Sequence, residues 1–470
     1  MIAMTLEQVA INTTGALPAI HNGIQISAIT TDTRQSMTNS LFIALRGDNF
    51  DGHEFLSKAA AQGAVACMVD EDRDTELPMI KVDNTTLAMG QLARSLRKQL
   101  GLPVIGITGS CGKTTVKEMV ASILSCRGNV LATEGNFNNA IGVPLTLFRL
   151  TAEDQFAVIE MGASQNGDID ELAQIALPDV ALITNVSAAH LQGLGSIEGV
   201  AKVKGEILNY LQNNGTAILE HKSPWLNQWR EQLTSSQTLQ TFSNEDQSAT
   251  FHARSIALNA QGQVSFLANT PNGEIDISLP LSGMHHVSNA LASMAAAIAV
   301  GASLENCQKG LATLSAVKGR LEFVAGLAGS RLINDSYNAN PASLKVALEL
   351  LVELSGKRML VLGDMAELGD EAEEAHVEAG ILAKEMCIDG LYATGKLTPL
   401  TVKSYGEGAE HFETRELLSA ALKAKIINSS IDENNDNNES NWNLLIKGSR
   451  SAGMEKLVTD LQLQQKETGK

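Results

Sequence analysis

The sequence predicts an α/β protein of three domains, and three observations carry this prediction. The chain has 470 residues, which is enough for about three domains of ordinary size. From residue 102 onward, short apolar runs rich in β-branched residues alternate with helical patterns, as in parallel sheets covered by helices. The same rhythm begins again near residue 316. We therefore expect domains over residues 1–101, 102–315 and 316–470.

Composition and charge exclude several classes of function. With 35 basic and 53 acidic residues the net charge is −18, which predicts repulsion of nucleic acids and anionic membranes. No run of about 18 apolar residues occurs and the first residues lack a basic signal region, so we expect neither a membrane span nor export. Five scattered cysteines without CxxC spacing are typical of reduced thiols. We expect a cytoplasmic monomer.

The N-terminal domain reads as small and mixed α/β. "SLFIAL" predicts a strand, "HEFLSKAAAQG" a helix and "AVACMVD" the next strand. "GQLARSLRKQLG" predicts an amphipathic helix that ends at Gly101, a residue suited to a helix C-cap.

The central domain reads as a parallel sheet around a glycine-rich loop. "PVIGIT" predicts a buried strand, followed by the loop and the helix "TTVKEMVASILSC". "FAVIEMG" and "VALITNV" predict further parallel strands. Between about 250 and 282, three strand-like runs and an Asn-Gly turn signal predict an antiparallel insertion in the same domain. A helix is expected over 289–300.

The C-terminal domain repeats the order of strand and helix and predicts a Rossmann-like α/β unit. Its strands would be "RLIND", "RMLVLGD", "GLYATG" and "NLLIKGS". The polar, Asn-rich segment Ser429 to Asn441 predicts a solvated loop.

The loop in "GITGSCGKTTVKEM" has the context of a phosphate-binding loop, because it joins a buried strand to a helix. Loop amides and the helix N-terminus favour phosphate, Lys113 would reach the β- and γ-phosphates, and Thr114 would bind Mg²⁺. The usual first glycine is replaced by Ile107, so a tight turn with a solvated lysine is the alternative. The predicted ATP contacts in the loop are Gly109, Ser110, Cys111, Gly112, Lys113, Thr114 and Thr115.

Two further residues follow strand ends in the central domain. Glu160 ends "FAVIE", where a carboxylate beside a phosphate-binding loop could hold a metal ion or could simply face water. His190 follows "VALITNV" and is either a neighbour of that metal or a structural histidine.

Other polar residues keep two interpretations each. Lys204 lies on a predicted amphipathic helix, where the residues alone favour a surface lysine. Asp335 could orient a ribose or a metal-bound water, or could cap the following helix. Arg320 and Arg450 could clamp an anion or remain surface charges. The amides Asn136, Asn138 and Asn139 could bind a polar ligand or form a turn.

These pieces, in this order, resemble the Mur ligases, the ATP-dependent amide-forming ligases of peptidoglycan synthesis. "TTDTRQ", "LFIALRG" and "DGHEF" look like the family's uridine-nucleotide domain, and "TGSCGKTT" looks like its short phosphate-binding loop. "NFNNAIGVPLTL", "VIEMGAS", "NVSAAHL", "AKVKGEI", "GRLE", "NDSYNANP" and "IKGSRS" follow, so the resemblance spans nearly the whole chain.

The resemblance implies the reaction and its ligands. ATP would activate the carboxylate of UDP-N-acetylmuramoyl-tripeptide, and the amine of D-alanyl-D-alanine would attack the resulting acyl phosphate. Two Mg²⁺ ions are implied. Carbamylated Lys204, with His190, would hold the second ion, while Thr114 and Glu160 would hold the first.

The resemblance also assigns binding roles. Lys113, Glu160, His190 and Lys204 are the implied catalytic residues, and Arg450 would bind the dipeptide carboxylate. The further nucleotide contacts would be Asn289, Arg320, Asp335 and Asn338. The contacts to the uridine-linked substrate would be Thr31, Arg34, Gly47, Asn136, Asn138 and Asn139. One departure is His285-His286, where relatives usually have His-Asn, so position 286 receives no role.

Two alternatives remain at this point. Another member of the superfamily, such as folylpolyglutamate synthase, shares the central loop, although the N-terminal motifs favour a uridine-nucleotide domain. A nucleotide switch without ligase chemistry is the second alternative. The third peptide residue, lysine or diaminopimelate, is left open. Because the implied site draws residues from different domains, we expect closure on ligand binding.

Overall fold

The structure is a computed structural model that describes residues 3–47, 49–188, 190–259, 261–431 and 441–463. Within these residues three main sheets, of four, nine and six strands, follow one another along the chain. The predicted α/β class with three domains is confirmed, and the boundaries at 101/102 and 315/316 remain our proposal. In the described part of the chain, no helix has both the length and the apolarity needed to cross a membrane.

The N-terminal domain is built on a parallel four-stranded sheet. The last helix starts at the N-cap Asn84, whose side chain accepts a hydrogen bond from the Leu87 amide at 2.9 Å. It ends, as predicted, at Gly101, whose φ of 64° suits glycine. The helices are Leu6–Thr13, Leu56–Ala61 and Thr85–Leu100, with 3₁₀ turns Ala19–His21 and Gly52–Phe55. The strands are Met4–Thr5, Gln25–Ile26, Ala28–Thr30, Ser40–Ile43, Arg46–Gly47, Phe50–Asp51, Ala64–Val69 and Met79–Lys81.

The N-terminal and central domains share one hydrophobic core. Leu92 and Leu96 on the last N-terminal helix pack in the same cluster as Ile169 and Leu172 of the central domain. Arg97 extends the contact with polar groups, donating to the carbonyls of Ala176 and Leu177 at 3.2 and 3.1 Å. It also pairs with Asp179 at 2.7 Å.

The central domain is a nine-stranded sheet with helices on its faces. In spatial order its strands are Asn129–Ala132, Asp154–Glu160, Val104–Thr108, Val180–Ile183, Thr216–Glu220, Thr238–Ser243, Phe251–Leu258, Gln263–Thr270 and Gly273–Ser282. The helices are Lys113–Ser125, Gly142–Leu147, Asp168–Ala176, Leu191–Leu194, Ile197–Gly205, Leu226–Glu231, His285–Ala299 and Leu304–Ala312, with a 3₁₀ turn at Glu206–Tyr210.

The predicted antiparallel strands continue the central sheet and form its edge. Phe251–Leu258 pairs in parallel with its inner neighbour, and the next two strands pair antiparallel. The connecting turn consists of Pro271 and Asn272, because Thr270 pairs with Gly273. The turn therefore lies one residue before the Asn-Gly pair, Asn272-Gly273, that predicted it.

The C-terminal domain has its own sheet and its own cores. Its spatial strand order is Glu322–Ala325, Arg331–Asp335, Trp442–Lys447, Lys357–Gly363, Gly390–Thr394 and Ala409–Phe412, all parallel except the first. The helices are Pro341–Glu353, Ala372–Glu385, Thr398–Tyr405, Arg415–Ile431 and Glu455–Leu461, with 3₁₀ turns Leu327–Gly329, Gly369–Glu371 and Arg450–Ala452. The predicted loop from Ser429 was wrong at its start, because the helix continues to Ile431; residues 432–440 lie outside the described part.

Candidate active site

A cleft of about 1140 Å³ lies between the central and C-terminal domains. The strands Val104–Thr108, Asp154–Glu160, Arg331–Asp335 and Trp442–Lys447 lead toward it with their carboxyl ends, where parallel sheets place ligand sites. Many of the predicted residues line it: Ser110, Cys111, Gly112, Lys113, Thr115, Asn136, Asn138, Asn139, Glu160, His190, Asn289, Arg320, Asp335, Asn338 and Arg450.

The glycine loop is held in shape by residues that the sequence did not single out. A side chain at Gly109, where φ is 147°, would place its Cβ 1.9 Å from the Thr184 hydroxyl. The Cys111 amide donates to the Asn185 side chain at 3.0 Å, while the Cys111 carbonyl accepts from the Thr184 hydroxyl at 2.6 Å. The loop is therefore held by residues at the end of the neighbouring strand, and Ser110, Cys111 and Gly112 of the loop line the cleft.

Lys113 begins the helix that follows the loop. Its ammonium group donates to the Gly109 carbonyl at 2.7 Å, so the side chain curls back over the loop. Burial lowers the pKa of Lys113, and the nearby Glu160 carboxylate opposes that shift. A half-buried lysine bonded to its own glycine-rich loop is suited to a phosphate, and this role of Lys113 stays a prediction.

Glu160 lies in a buried network, and the interpretation as a water-facing carboxylate is wrong. Its carboxylate accepts from the Thr114 hydroxyl at 2.9 Å and from the Asn138 amide at 2.8 Å, and its backbone amide donates to Thr133 at 3.0 Å. The residue is 2% exposed. A hydroxyl and a carboxylate beside a phosphate-binding loop form the oxygen donor set that Mg²⁺ prefers, so these residues fit that ion.

Lys204 is buried, which contradicts the surface position that the residues alone favoured. It is 1% exposed, and its amine has no hydrogen-bond partner among the described residues. Burial, with the neighbouring charge of Lys113, lowers the pKa of Lys204 to about 7. With that pKa about half of the amine is in its neutral, nucleophilic form at pH 7. This orphaned buried amine fits the carbamate that the resemblance implied.

His190 contacts the opposite domain. Its Nδ1 lies 2.5 Å from a carboxylate oxygen of Glu367, and this close contact lowers the pKa of Glu367. Both residues have positive φ, at 54° and 63°, which is uncommon outside glycine. Backbone strain of this kind tends to occur at functional sites.

Asp335 forms a buried ion pair with Lys447, a residue that the sequence analysis missed. Lys447 also donates to the Asn338 carbonyl at 2.9 Å, so it ties both predicted residues together. Burial raises the pKa of Asp335, and Lys447 opposes that shift. The helix-cap alternative for Asp335 is wrong, because Asn340 caps that helix by accepting from the Ser343 amide at 2.8 Å.

Arg320 and Arg450 meet at one aromatic ring. The guanidinium carbon of Arg320 lies 4.2 Å from the ring centre of Tyr337, and that of Arg450 lies 5.4 Å from it. All three residues line the cleft, so both arginines lie where an anionic ligand would bind.

Asn289 and the two histidines form the part of the cleft next to the loop. The Asn289 side-chain oxygen would lie 2.9 Å from a Cβ at Gly112, which explains the glycine there. Burial lowers the pKa of His285 to about 4 and that of His286 well below its usual range. Both rings are therefore neutral at physiological pH.

The predicted N-terminal contacts lie outside this cleft lining. Arg34 is an exposed side chain that pairs in bidentate fashion with Asp32, and this pairing lowers the pKa of Asp32 to about 2. Thr31 and Gly47 belong to the same domain. Their role toward the uridine-linked substrate stays a prediction.

Family models match all three domains of this fold. The description "Mur ligase family, catalytic domain" matches residues 25–97, "Mur ligase middle domain" matches 107–297, and "Mur ligase, glutamate ligase domain" matches 319–435. The chain belongs to the Mur ligase family, a family of ligases, and the resemblance inferred from its motifs is confirmed.

Individual members of the family resemble this chain over nearly its whole length. The UDP-N-acetylmuramoyl-tripeptide–D-alanyl-D-alanine ligase of Escherichia coli K12 is 43% identical over 98% of this chain and 99% of its own length. A crystal structure of MurF from Acinetobacter baumannii superposes with a TM-score of 0.90 at 34% identity, covering 98% of this chain and 99% of that one. MurF from Thermotoga maritima, solved with ADP, gives a TM-score of 0.80 at 25% identity, covering 92% and 96%.

Proposed function

We propose that the chain is the ATP-dependent ligase that joins UDP-N-acetylmuramoyl-tripeptide to D-alanyl-D-alanine in peptidoglycan precursor synthesis. One observation carries this proposal: a single cleft brings a phosphate-binding loop, a Thr-Glu pair and two arginines from another domain together. The names of the high-coverage relatives support the choice of substrates. A cytoplasmic location and a monomeric state complete the proposal.

The first step is activation of the tripeptide carboxylate. The loop amides and Lys113 hold the phosphates of ATP, while Arg320 and Asp335 hold the rest of the nucleotide from the other domain. A carboxylate oxygen forms a bond to the γ-phosphorus as the bond from that phosphorus to the bridging oxygen breaks. ADP leaves, and an acyl phosphate remains. Lys113 is placed to offset the negative charge that accompanies the transfer.

Two Mg²⁺ ions are part of the proposal. Thr114 and Glu160 would hold the first, and carbamylated Lys204 with His190 would hold the second. Bound there, the ions would neutralise phosphate and acyl oxygens and so reduce the repulsion between two anions.

The second step forms the amide. Arg450 binds the carboxylate of D-alanyl-D-alanine, which leaves the free amine directed at the acyl carbonyl. The amine nitrogen bonds to the carbonyl carbon, the tetrahedral intermediate loses inorganic phosphate, and the nitrogen gives up a proton. Orienting the reactants in this way supplies on the order of 7–11 kcal/mol of the barrier reduction.

The comparisons weigh against both alternatives. The relatives with 98% coverage of this chain bear the name of the tripeptide ligase, not that of a folylpolyglutamate synthase. A nucleotide switch has no need for a second α/β unit that contributes two arginines and a buried ion pair to the nucleotide cleft.

A phosphate-release assay tests the proposal. Release should require both UDP-N-acetylmuramoyl-tripeptide and D-alanyl-D-alanine, and should fall by at least about a hundredfold in Lys113→Ala because the transferred charge loses its partner. Lys202→Ala, an exposed lysine elsewhere in the central domain, is the matched control and should behave as wild type. Release that depends instead on a folate and glutamate, or that survives in Lys113→Ala, would contradict the proposal.

Domain closure on ligand binding belongs to the same proposal. The dimensions of the chain, measured by small-angle scattering, should shrink when ATP analogue, tripeptide nucleotide and dipeptide are all present. Equal dimensions with and without ligands would argue against closure.

A further inference from the structure

The ring of Tyr337 joins two cationic side chains that come from separate segments. Arg320 follows the junction between the central and C-terminal domains, and Arg450 follows the strand Trp442–Lys447. Their guanidinium carbons lie 4.2 and 5.4 Å from the ring centre, within the range of a cation–π contact. The proposed function gives these arginines different ligands, so one ring touches two binding subsites.

The backbone of Tyr337 adds a second restraint on Arg320. The Tyr337 amide donates to the Gly319 carbonyl at 3.1 Å, immediately before Arg320 in the chain. Gly319 has a φ of 75° and packs 3.5 Å from the Tyr337 Cβ, measured from an added Cβ. Tyr337 therefore restrains Arg320 twice: its amide holds the backbone next to Arg320, and its ring contacts the Arg320 guanidinium.

The two guanidiniums remain available to anions. Among the described residues, neither Arg320 nor Arg450 pairs with a carboxylate, and the Arg320 Nε is buried without a hydrogen-bond partner. The carboxylate of Asp335 nearby is already engaged by Lys447. In the same described part, the Tyr337 hydroxyl has no hydrogen-bond partner, so the ring face makes the contact.

We infer that Tyr337 is a positioning residue that prepares Arg320 for the nucleotide and Arg450 for the dipeptide carboxylate at the same time. Free arginine side chains lose much rotational freedom when they bind an anion, and an aromatic face that already orients them removes part of that cost. The contact also offsets some of the repulsion between two cations at one site. This inference rests on the proposed function, because it takes the two ligands from there.

Tyr337→Leu removes the ring, and Tyr337→Phe is the matched control that keeps it. We expect the leucine variant to raise the KM for ATP and the KM for D-alanyl-D-alanine together, by about 2- to 30-fold each. The KM for the tripeptide nucleotide should change much less, and the phenylalanine variant should stay within about twofold of wild type. An increase in only one of the two constants, or equal losses in both variants, would overturn the inference.

Double-mutant cycles separate this inference from the proposed function. In an Arg450→Met background, Tyr337→Leu should no longer affect the KM for the dipeptide but should still affect the KM for ATP. In an Arg320→Met background, Tyr337→Leu should no longer affect the KM for ATP but should still affect the KM for the dipeptide. If the single arginine variants leave both constants unchanged, the ligand assignments of the proposed function are wrong. If the arginine variants raise the two KM values but Tyr337→Leu does not, only the inference about Tyr337 fails. Thermal unfolding checks each variant, and Tyr337→Gln replaces the leucine variant if that one does not fold.

Discussion

The boundary between the N-terminal and central domains is packed like a protein interior, whereas the central and C-terminal domains face each other across a polar cleft. At the first boundary apolar side chains belong to one cluster, and Arg97 bonds to backbone carbonyls and Asp179. At the second, each domain keeps its own cores, and contacts include the pair His190–Glu367 and the 3.9 Å approach of Cys111 to Asn340. The first two domains thus share one interior, and the closure proposed above would be a movement of the third domain relative to them.

Breaking the buried Asp335–Lys447 pair in the C-terminal domain should have the largest effect on stability. Lys447→Met leaves the Asp335 carboxylate buried without its cation, at a cost of about 3–5 kcal/mol. Hydrogen exchange should accelerate in the C-terminal sheet while the helix Thr85–Leu100 stays protected, because the domains have separate cores. Adding Asp335→Asn should recover part of the loss. Exchange that accelerates equally in all three domains would show that the C-terminal domain does not unfold separately from the other two.

Removing the buried amine of Lys204 should stabilise the protein while abolishing ligation. The folded-state pKa of about 7 lies below the usual value of 10.5, so the unfolded chain binds more protons between these values and wild-type stability rises with pH across that window. The stability of Lys204→Met should not rise with pH in this way. At pH 7 its free energy of unfolding should exceed that of the wild type by up to about 4 kcal/mol.

Urea unfolding at pH 7 and pH 9 in CO₂-depleted buffer measures the Lys204 effect. Lys202→Met, at an exposed position on the same helix, should follow wild type. Bicarbonate should diminish the pH dependence of the wild type if its amine is converted to a carbamate. A wild type whose stability does not change between the two pH values without CO₂ would contradict the burial argument.

Arg97→Met probes the interior-like boundary. It leaves two carbonyls and Asp179 without their donor, and because Asp179 is partly exposed we expect a loss of about 2–3 kcal/mol. Both the N-terminal and central domains should lose protection in hydrogen exchange, since they share a core. Lys98→Met, an exposed neighbour, serves as the control. A loss confined to residues 3–101 would mean that the two domains unfold separately.

Glu367→Gln should have the smallest effect on stability. The Glu367 side chain is 58% exposed, so water can take the place of its contact with His190 and the change in unfolding free energy should stay below about 0.5 kcal/mol. Because His190 lowers the pKa of Glu367, the contact is present above the usual carboxyl pKa and is lost as the pH falls through the lowered value. Scattering profiles of wild type and variant should therefore differ more at pH 7 than at pH 3.5. A large destabilisation would show that the cleft is a packed interface.

The contrast between the two boundaries also separates what the sequence could predict from what it could not. The loop follows an apolar strand, and Glu160 and Asp335 are the last residues of theirs, so the local pattern predicts their positions at the carboxyl ends of the strands. The Asp335–Lys447 pair joins residues 112 positions apart, and no local pattern links them. Lys447 directly follows the apolar run "LLI", and this position was the available sign that its charge would be buried.

Lys204 shows a different kind of error. It was placed on the surface because lysine is polar, yet it lies four residues after Val200 and three before Ile207, on the stripe that packs inward. Helical spacing outweighed residue type here. Tyr337 gave no such sign, because its contacts depend on loops that only the complete sheet brings together.

The order of strands in the C-terminal sheet has a consequence for protein synthesis. Among the described residues Trp442–Lys447 is the last strand to be made, yet it lies inside the sheet, between Arg331–Asp335 and Lys357–Gly363. While the ribosome is still adding residues, the first two domains can complete their common core, but the third has a gap where its central strand belongs. A nascent chain therefore passes through a stage in which its ATP loop is formed and the edges of two unpaired strands are open to chaperones or to other nascent chains.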